Sequence, residues 1–208
     1  MVVPMALPKI AFVAFVVPFF LSPPTRAGED QARAWLAAQG YAEPTAERIV
    51  ACHGYGCSRR ASIPIDGAIF GKLSAIMRSG RGSPAAERRA LSEAIRIFTR
   101  YVAARIGGRL DAPRSPPSLS GVHGQMDCLD VTANTTSLLL VLEANGLLIH
   151  HDISRPEARG FLLDGRWPHV TAVLAESQGG TRWAVDPWTR APGAAPEILP
   201  LSQWHRAS

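Results

Sequence analysis

The clearest hydrophobic pattern in the chain lies between residues 84 and 106. Apolar side chains recur at three- and four-residue spacing, with arginines between them: Leu91, Ile95, Phe98, Val102 and Ile106. This spacing places the apolar side chains on one face of a helix. Ser83-Pro84 supplies an N-cap and a proline at the first helical position, and Gly107-Gly108 ends the pattern. The pattern predicts an amphipathic core helix.

Two shorter helices are predicted before it. Residues 29–38 are helix-forming, with Trp35 and Leu36 as anchors in the core and Gly40 close to the end. Asp66 can cap a second helix that continues to Met77.

A further helix is predicted from Cys128. The apolar run that follows this cysteine continues to Leu142, and it stops at Asn145-Gly146. Asp127 is an N-cap residue, and Gly146 adopts the left-handed conformation that often ends a helix. Cys128 is therefore predicted in the first turn of a buried helix.

Strand-like segments alternate with turn signals elsewhere. Residues 47–65 predict a hairpin around a two-glycine loop, and residues 169–175 and 181–186 predict a second hairpin. Further strands are predicted at 147–153 and 161–163. The Pro/Ser-rich segment 111–124 and the Pro-rich tail 192–204 carry few periodic signals. The fold class predicted is α+β, with the Cys128 helix packed on an antiparallel sheet.

The amino-terminal segment has the features of a secretory signal peptide. Lys9 precedes twelve mostly apolar residues, and Thr25-Arg26-Ala27 offers small residues at the −3 and −1 positions of a cleavage site. The apolar run is shorter than the roughly 20 residues of a spanning helix. An uncleaved anchor is the alternative. Residues 1–27 are predicted to be removed, leaving 28–208 as one domain with an N-terminal part (28–110) and a core (120–190).

Composition narrows the function classes. The chain has 208 residues and 47% hydrophobic residues, which is typical of a globular domain. Removing the signal peptide takes away Lys9 and Arg26 and lowers the formal net charge from +5 to +3. The remaining arginines are scattered and form no dense stripe, so nucleic acid is not expected as a partner. Contact with a membrane is expected only through the signal peptide before cleavage.

Three cysteines in an exported chain raise the question of pairing. Cys52 and Cys57 lie five residues apart with two glycines between them, which favours a local disulfide. The spacing excludes a redox Cys-x-x-Cys pair and a haem-attachment motif. A zinc site on Cys52, His53 and Cys57 is an alternative without a fourth ligand. Cys128 is then the odd cysteine, which suggests a reactive thiol.

A helix N-terminus favours the thiolate form of a cysteine. Nucleophilic catalysis also needs a base close to the sulfur and a group that orients the base. His169 opens one strand of the second hairpin, and Asp186 closes the other strand. Neighbouring strands bring side chains to about 5 Å of each other. Cys128, His169 and Asp186 are therefore the predicted catalytic residues.

These segments resemble a known group of enzymes. Asp127-Cys128-Leu129-Asp130 is similar to the Asp-Cys-x-Asp motif of the bacterial transglutaminase-like cysteine proteinases. Residues 169–174 resemble their histidine strand, and residues 183–186 resemble their aspartate strand. The likeness covers about residues 120–190. It implies a papain-like or transglutaminase-like core and a Cys-His-Asp triad. Because acidic residues near the nucleophile bind calcium in that group, it also implies a calcium role for Asp130; no other cofactor is expected.

Other residues have candidate roles around the triad. The Gln125 side chain and the Cys128 backbone N–H are candidate donors to an oxyanion. Trp167 and Trp188 flank the histidine and aspartate and are candidate walls of a substrate groove; packing of the hairpin is the alternative.

The expected function is an exported, periplasmic or secreted, thiol hydrolase. It would cleave or transfer an amide bond of a peptide, protein or peptidoglycan peptide through an acyl-thioester. One alternative is a catalytically silent protein of the same fold that binds peptide or glycan. Another is a metal site built on the three triad residues or on His150-His151-Asp152.

Overall fold

The structure is a computed structural model that describes residues 27–160 and 168–207. Most of the predicted signal peptide, the strand predicted at 161–163, and Trp167 lie outside these residues. The fold is α+β, and its strands pair antiparallel in a two-stranded and a four-stranded sheet. In the described part of the chain, no helix combines the length and apolarity that crossing a membrane requires.

The first half of the chain contains three helices and a hairpin. Helix α1 spans Ala27–Ala38, strands β1 and β2 span Arg48–His53 and Arg59–Pro64, and helices α2 and α3 span Gly67–Ser79 and Pro84–Ile106. The predicted caps are confirmed: Asp66 accepts hydrogen bonds from two N–H groups of α2, and Ser83 accepts one from α3.

The second half carries the central helix and the larger sheet. Helix α4 spans Cys128–Ala144, and strands β3, β4 and β5 span His151–Arg159, His169–Glu176 and Arg182–Asp186. Strand β6 spans Glu197–Pro200 and is followed by helix α5, Leu201–Arg206. The order in the sheet is β3-β4-β5-β6, so both predicted hairpins are confirmed.

One strand prediction was wrong in its bounds, and the tail contains elements that the sequence did not predict. Strand β3 begins at His151, not at Leu147, and it continues through Pro156 to Arg159. A proline is accepted there because β3 is an edge strand and its ladder is interrupted between Ser154 and Glu157. The Pro-rich tail, which carries few periodic signals, forms β6 and α5. Backbone pairing with β5 holds β6, and side-chain periodicity does not report such pairing.

Helix α4 is buried on all sides over residues 130–143. It contacts β1 on one side and β4 on the other. Asn134 makes the contact with β1 specific: its Oδ1 accepts a hydrogen bond from the Cys52 N–H at 2.7 Å, and its Nδ2 donates to the Cys52 carbonyl at 2.9 Å. One buried amide therefore satisfies both backbone groups of a strand residue.

Replacing Asn134 with alanine should lower the free energy of unfolding by about 3 kcal/mol, because it leaves a buried N–H and a buried C=O without partners. Urea unfolding followed by circular dichroism measures the change. Asn145→Ala is the matched control: Asn145 lies exposed at the end of the same helix and donates to the Val141 carbonyl. Losing this hydrogen bond should lower the free energy of unfolding by about 1 kcal/mol or less. Equal decreases in Asn134→Ala and Asn145→Ala would contradict this role of Asn134.

Candidate active site

His169 and Asp186 form a buried pair at one end of the larger sheet. The His169 Nε2 lies 2.6 Å from the Asp186 Oδ2, and the two residues are 6% and 1% exposed. Because a carboxylate accepts hydrogen bonds, this contact places the ring proton on Nε2. The other nitrogen, Nδ1, is buried and has no hydrogen-bond partner among the described residues. In the neutral ring, Nδ1 is therefore the nitrogen without a proton, and no described residue occupies its lone pair.

Two tryptophans enclose this imidazole. The Trp188 and Trp204 rings have centroids 4.7 and 5.5 Å from that of His169. The indole Nε1 of Trp204 donates to the Asp186 Oδ2 at 3.0 Å, the same oxygen that His169 contacts. The aspartate is thus fixed from two directions, which leaves the imidazole little freedom to turn.

Trp204 was not among the predicted site residues. It is 1% exposed and lies on α5, in the tail that showed little pattern. The guanidinium of Arg159 lies 4.3 Å from the centroid of its ring, and Arg159 also donates to the Trp204 carbonyl. One feature of the sequence could have indicated this helix. Leu201 and Trp204 are three residues apart, a spacing that places both on one helical face, and both side chains are buried.

Cys128 lies at the N-terminus of α4, as predicted, with Asp127 as the N-cap. The backbone N–H of Val170, the residue after His169, is directed at the Cys128 sulfur. One turn along the helix, Thr132 Oγ1 donates to the Val170 carbonyl at 3.0 Å. Helix α4 therefore holds both polar groups of Val170, and this contact brings the start of β4 to the cysteine.

The ionisation of Cys128 differs from the prediction. Burial raises the pKa of the thiol to about 11. The Val170 N–H lowers it, but the nearby carboxylates of Asp127 and Asp186 raise it further. The helix N-terminus is outweighed because the sulfur is desolvated next to two negative charges. The resting group is a neutral thiol, and no hydrogen bond joins it to the His169 Nδ1.

Gln125 does not have the geometry expected of an oxyanion donor. Its side chain is fully buried, and its amide nitrogen donates to the carbonyls of Arg109 and Leu110 at 3.2 and 2.9 Å. Its amide oxygen accepts from the Ala112 N–H and the Ser115 hydroxyl. Gln125 therefore holds the 109–115 segment in place. Its loop position in the sequence gave no sign of this burial.

The predicted disulfide between Cys52 and Cys57 is present, which removes both sulfurs from the alternative zinc site. The loop that it closes has positive φ at Gly54, Tyr55, Gly56 and Cys57. These conformations turn successive N–H groups toward the start of α4.

Asp130 binds this loop. Its Oδ2 accepts from the Tyr55 N–H at 2.8 Å and its Oδ1 from the Cys57 N–H at 2.6 Å. Burial, with the charge of Asp127, raises the pKa of Asp130 to about 7. The carboxylate is fully buried, with a backbone N–H on each oxygen. It thus fixes the disulfide loop from inside the protein, and the calcium role that the resemblance implies for Asp130 stays a prediction.

The alternative metal site on residues 150–152 has a different geometry. His151 is buried, and its Nδ1 lies 2.8 Å from the Glu87 Oε1. The ring of His150 contacts the Arg81 carbonyl. Within the described ranges, three potential ligand atoms converge only at Cys52, Cys57 and Asp130, where the two sulfurs are bonded to each other.

A cleft of about 420 Å³ opens beside Cys128. Its walls include Tyr55 from the disulfide loop, Ser115 and two prolines from the 111–124 segment, and Trp188. The charged residues that line it are Arg114 and Asp127. Cys128 lines this cleft together with the aromatic side chains of Tyr55 and Trp188.

Comparisons of the chain with protein-family models, with characterised proteins and with solved structures return no match.

Alkylation of Cys128 by iodoacetamide should follow the raised pKa. The folded protein should react roughly a hundredfold more slowly at pH 8 than a free cysteine of pKa about 8.5, and its rate should increase with pH toward a pKa of about 11. Intact-mass kinetics across pH 6–11 measure this. The same protein unfolded in urea without reductant is the control, and it should titrate near 8.5. A rate that stays constant below pH 7 would instead indicate a thiolate paired with imidazolium.

Proposed function

We propose that this protein is an exported thiol hydrolase of the transglutaminase-like and papain-like type. Cys128 is the nucleophile, His169 the base and Asp186 the residue that orients the base. The single observation that carries the proposal is the buried His169–Asp186 contact of 2.6 Å, which leaves Nδ1 without a partner. The next residue, Val170, directs its backbone N–H at the Cys128 sulfur. A histidine that serves only packing has no need of a buried nitrogen without a hydrogen bond.

The raised pKa of Cys128 favours a base-assisted attack over a resting thiolate–imidazolium pair. When a substrate carbonyl occupies the cleft, Nδ1 of His169 accepts the thiol proton as the sulfur attacks. The Cys128 backbone N–H, at the first position of α4, is the proposed donor to the oxyanion. Catalytic hydrogen bonds are often long in apo structures and tighten when substrate binds, so the proposal expects the thiol–imidazole hydrogen bond to form in the substrate complex.

The imidazolium then returns the proton to the leaving amine, and the C–N bond breaks to give an acyl-thioester on Cys128. Water, deprotonated by His169, completes hydrolysis and releases the acid; an amine in place of water gives transfer. Asp186 stabilises the imidazolium through Nε2, and Trp204 keeps that carboxylate in place by its indole N–H.

The proposed substrate is an amide of a peptide, a protein or a peptidoglycan peptide. The aromatic and proline-rich walls of the cleft suit an extended peptide more than a compact polar ligand. The proposal of export rests on the predicted N-terminal signal peptide and is consistent with the Cys52–Cys57 disulfide.

A catalytically silent protein of the same fold that binds peptide or glycan is the second candidate. The neutral thiol and the missing hydrogen bond between thiol and imidazole favour it. In that case the cleft would bind a ligand without transferring its acyl group to sulfur.

Acylation by an activated ester separates the two candidates. Wild-type protein mixed with p-nitrophenyl acetate at pH 7.5 should acquire one acetyl group on Cys128, detected by intact mass and peptide mapping. Cys128→Ala should abolish this acylation, and His169→Ala should slow it by about a hundredfold or more, the usual contribution of a general base. His123→Ala, an exposed histidine, is the matched control and should react at the wild-type rate. Acylation at equal rates in wild type and His169→Ala would favour the silent binder.

A further inference from the structure

Arg114 lines the cleft beside Cys128 and is exposed. Its backbone is held in the left-handed region, with φ of 51°, and its N–H donates to the Trp188 carbonyl at 2.9 Å. An arginine rarely adopts this conformation, because its Cβ is crowded there. The surrounding contacts therefore fix the point from which this side chain leaves the backbone.

No described residue pairs with the charge of Arg114. Its guanidinium has no hydrogen bond or ion pair with any described residue. The other charged residue of the cleft, Asp127, already accepts N–H bonds from Asp130 at 2.8 Å and Gly56 at 2.9 Å. Several arginines elsewhere do pair with carboxylates: Arg33, Arg88, Arg96, Arg182 and Arg190.

Hydrogen bonds and ring contacts hold the walls of the cleft around Arg114. The Tyr55 hydroxyl lies 2.8 Å from the Ser115 Oγ and 2.5 Å from the Pro116 carbonyl oxygen, so it ties the disulfide loop to the segment that carries Arg114. Trp188 forms part of the lining and also contacts the His169 ring. An unpaired cation on an aromatic-walled cleft is a site for an anion, and a planar guanidinium matches a carboxylate best.

We propose that Arg114 selects a substrate that carries a carboxylate close to the scissile amide. The carboxylate belongs either to an acidic side chain or to a free C-terminus of a peptide. The identity of the substrate rests on the proposed hydrolase function. The binding preference does not: it predicts that the cleft favours an anion at Cys128 over a neutral molecule of the same size.

Iodoacetate, an anion, and iodoacetamide, a neutral molecule of nearly the same size, both alkylate cysteine and test this preference. The rate ratio of the anion to the amide is measured at Cys128 in the folded protein and divided by the same ratio in urea, which removes the intrinsic difference between the reagents. The ratio should exceed one in wild type and should fall by about tenfold in Arg114→Gln, since Asp127 and Asp186 then act unopposed on the anion. Arg114→Lys should keep part of the preference for iodoacetate, and raised salt should reduce that preference in the wild type.

Arg89→Gln is the control for net charge, because Arg89 is exposed on α3 away from the cleft. It should keep the wild-type ratio. A wild-type ratio at or below one, or equal ratios in wild type and Arg114→Gln, would overturn the selection of a carboxylate.

Protection of Cys128 from iodoacetamide then identifies the source of the carboxylate. Three peptides are compared: acetyl-Ala-Glu-Ala-amide, acetyl-Ala-Gln-Ala with a free carboxylate, and acetyl-Ala-Gln-Ala-amide. Protection by the first supports an acidic side chain, and protection by the second supports a C-terminus. Either should be lost in Arg114→Gln, and equal protection by all three would overturn the proposal.

The two proposals fail in different ways. The alkylation ratio depends neither on His169 nor on turnover. A ratio above one that falls in Arg114→Gln, together with acylation that does not need His169, would overturn the hydrolase proposal and leave a carboxylate-binding cleft. Acylation that depends on His169, with a ratio unaffected by Arg114→Gln, would leave the hydrolase and overturn the selection.

Discussion

The arrangement of the site depends on the way the buried helix α4 satisfies backbone groups of the strands packed against it. Asn134 bonds both polar groups of Cys52 in β1, and Thr132 bonds the carbonyl of Val170 in β4. A strand residue buried against a helix cannot leave these groups unpaired without a cost of several kcal/mol. The contacts therefore fix the helix in one register against both sheets, and that register sets Cys128 beside the start of β4.

The same burial decides the chemistry of the thiol. A helix N-terminus stabilises an anion by about 1 kcal/mol or less at an exposed site. Removing the sulfur from water next to Asp127 and Asp186 acts in the opposite direction and is the larger effect, so the pKa of Cys128 is raised. A neutral thiol is compatible with catalysis only if a base removes its proton during the attack. Under the proposed function, the Nδ1 of His169, which has no hydrogen-bond partner among the described residues, would be that base.

The first half of the chain contributes the walls of the site. The disulfide loop binds Asp127 and Asp130 through three backbone N–H groups, and its Tyr55 reaches across to Ser115 and Pro116. The buried Gln125 holds the neighbouring segment by four hydrogen bonds. Residues that resembled parts of a catalytic motif are thus used to build the cleft. The first hairpin, which lies outside the resemblance, contributes Tyr55 to one of its sides.

Local physics made much of the fold predictable. The helix caps, the two hairpins, the disulfide and the positions of Cys128, His169 and Asp186 on their elements follow from periodicity, capping residues and turn residues, which act over a few positions. The long-range features did not follow. Contacts with β5 hold the N-terminus of α5 and strand β6. Trp204 reaches Asp186 across 18 positions of the chain. Segments distant in sequence bury Gln125 and Asp130. The sequence alone determined which side chains stand at the ends of helices and strands. Only the tertiary structure decided how much water each one loses and which polar groups replace it, because desolvation and hydrogen bonding depend on neighbours that the chain brings together by folding.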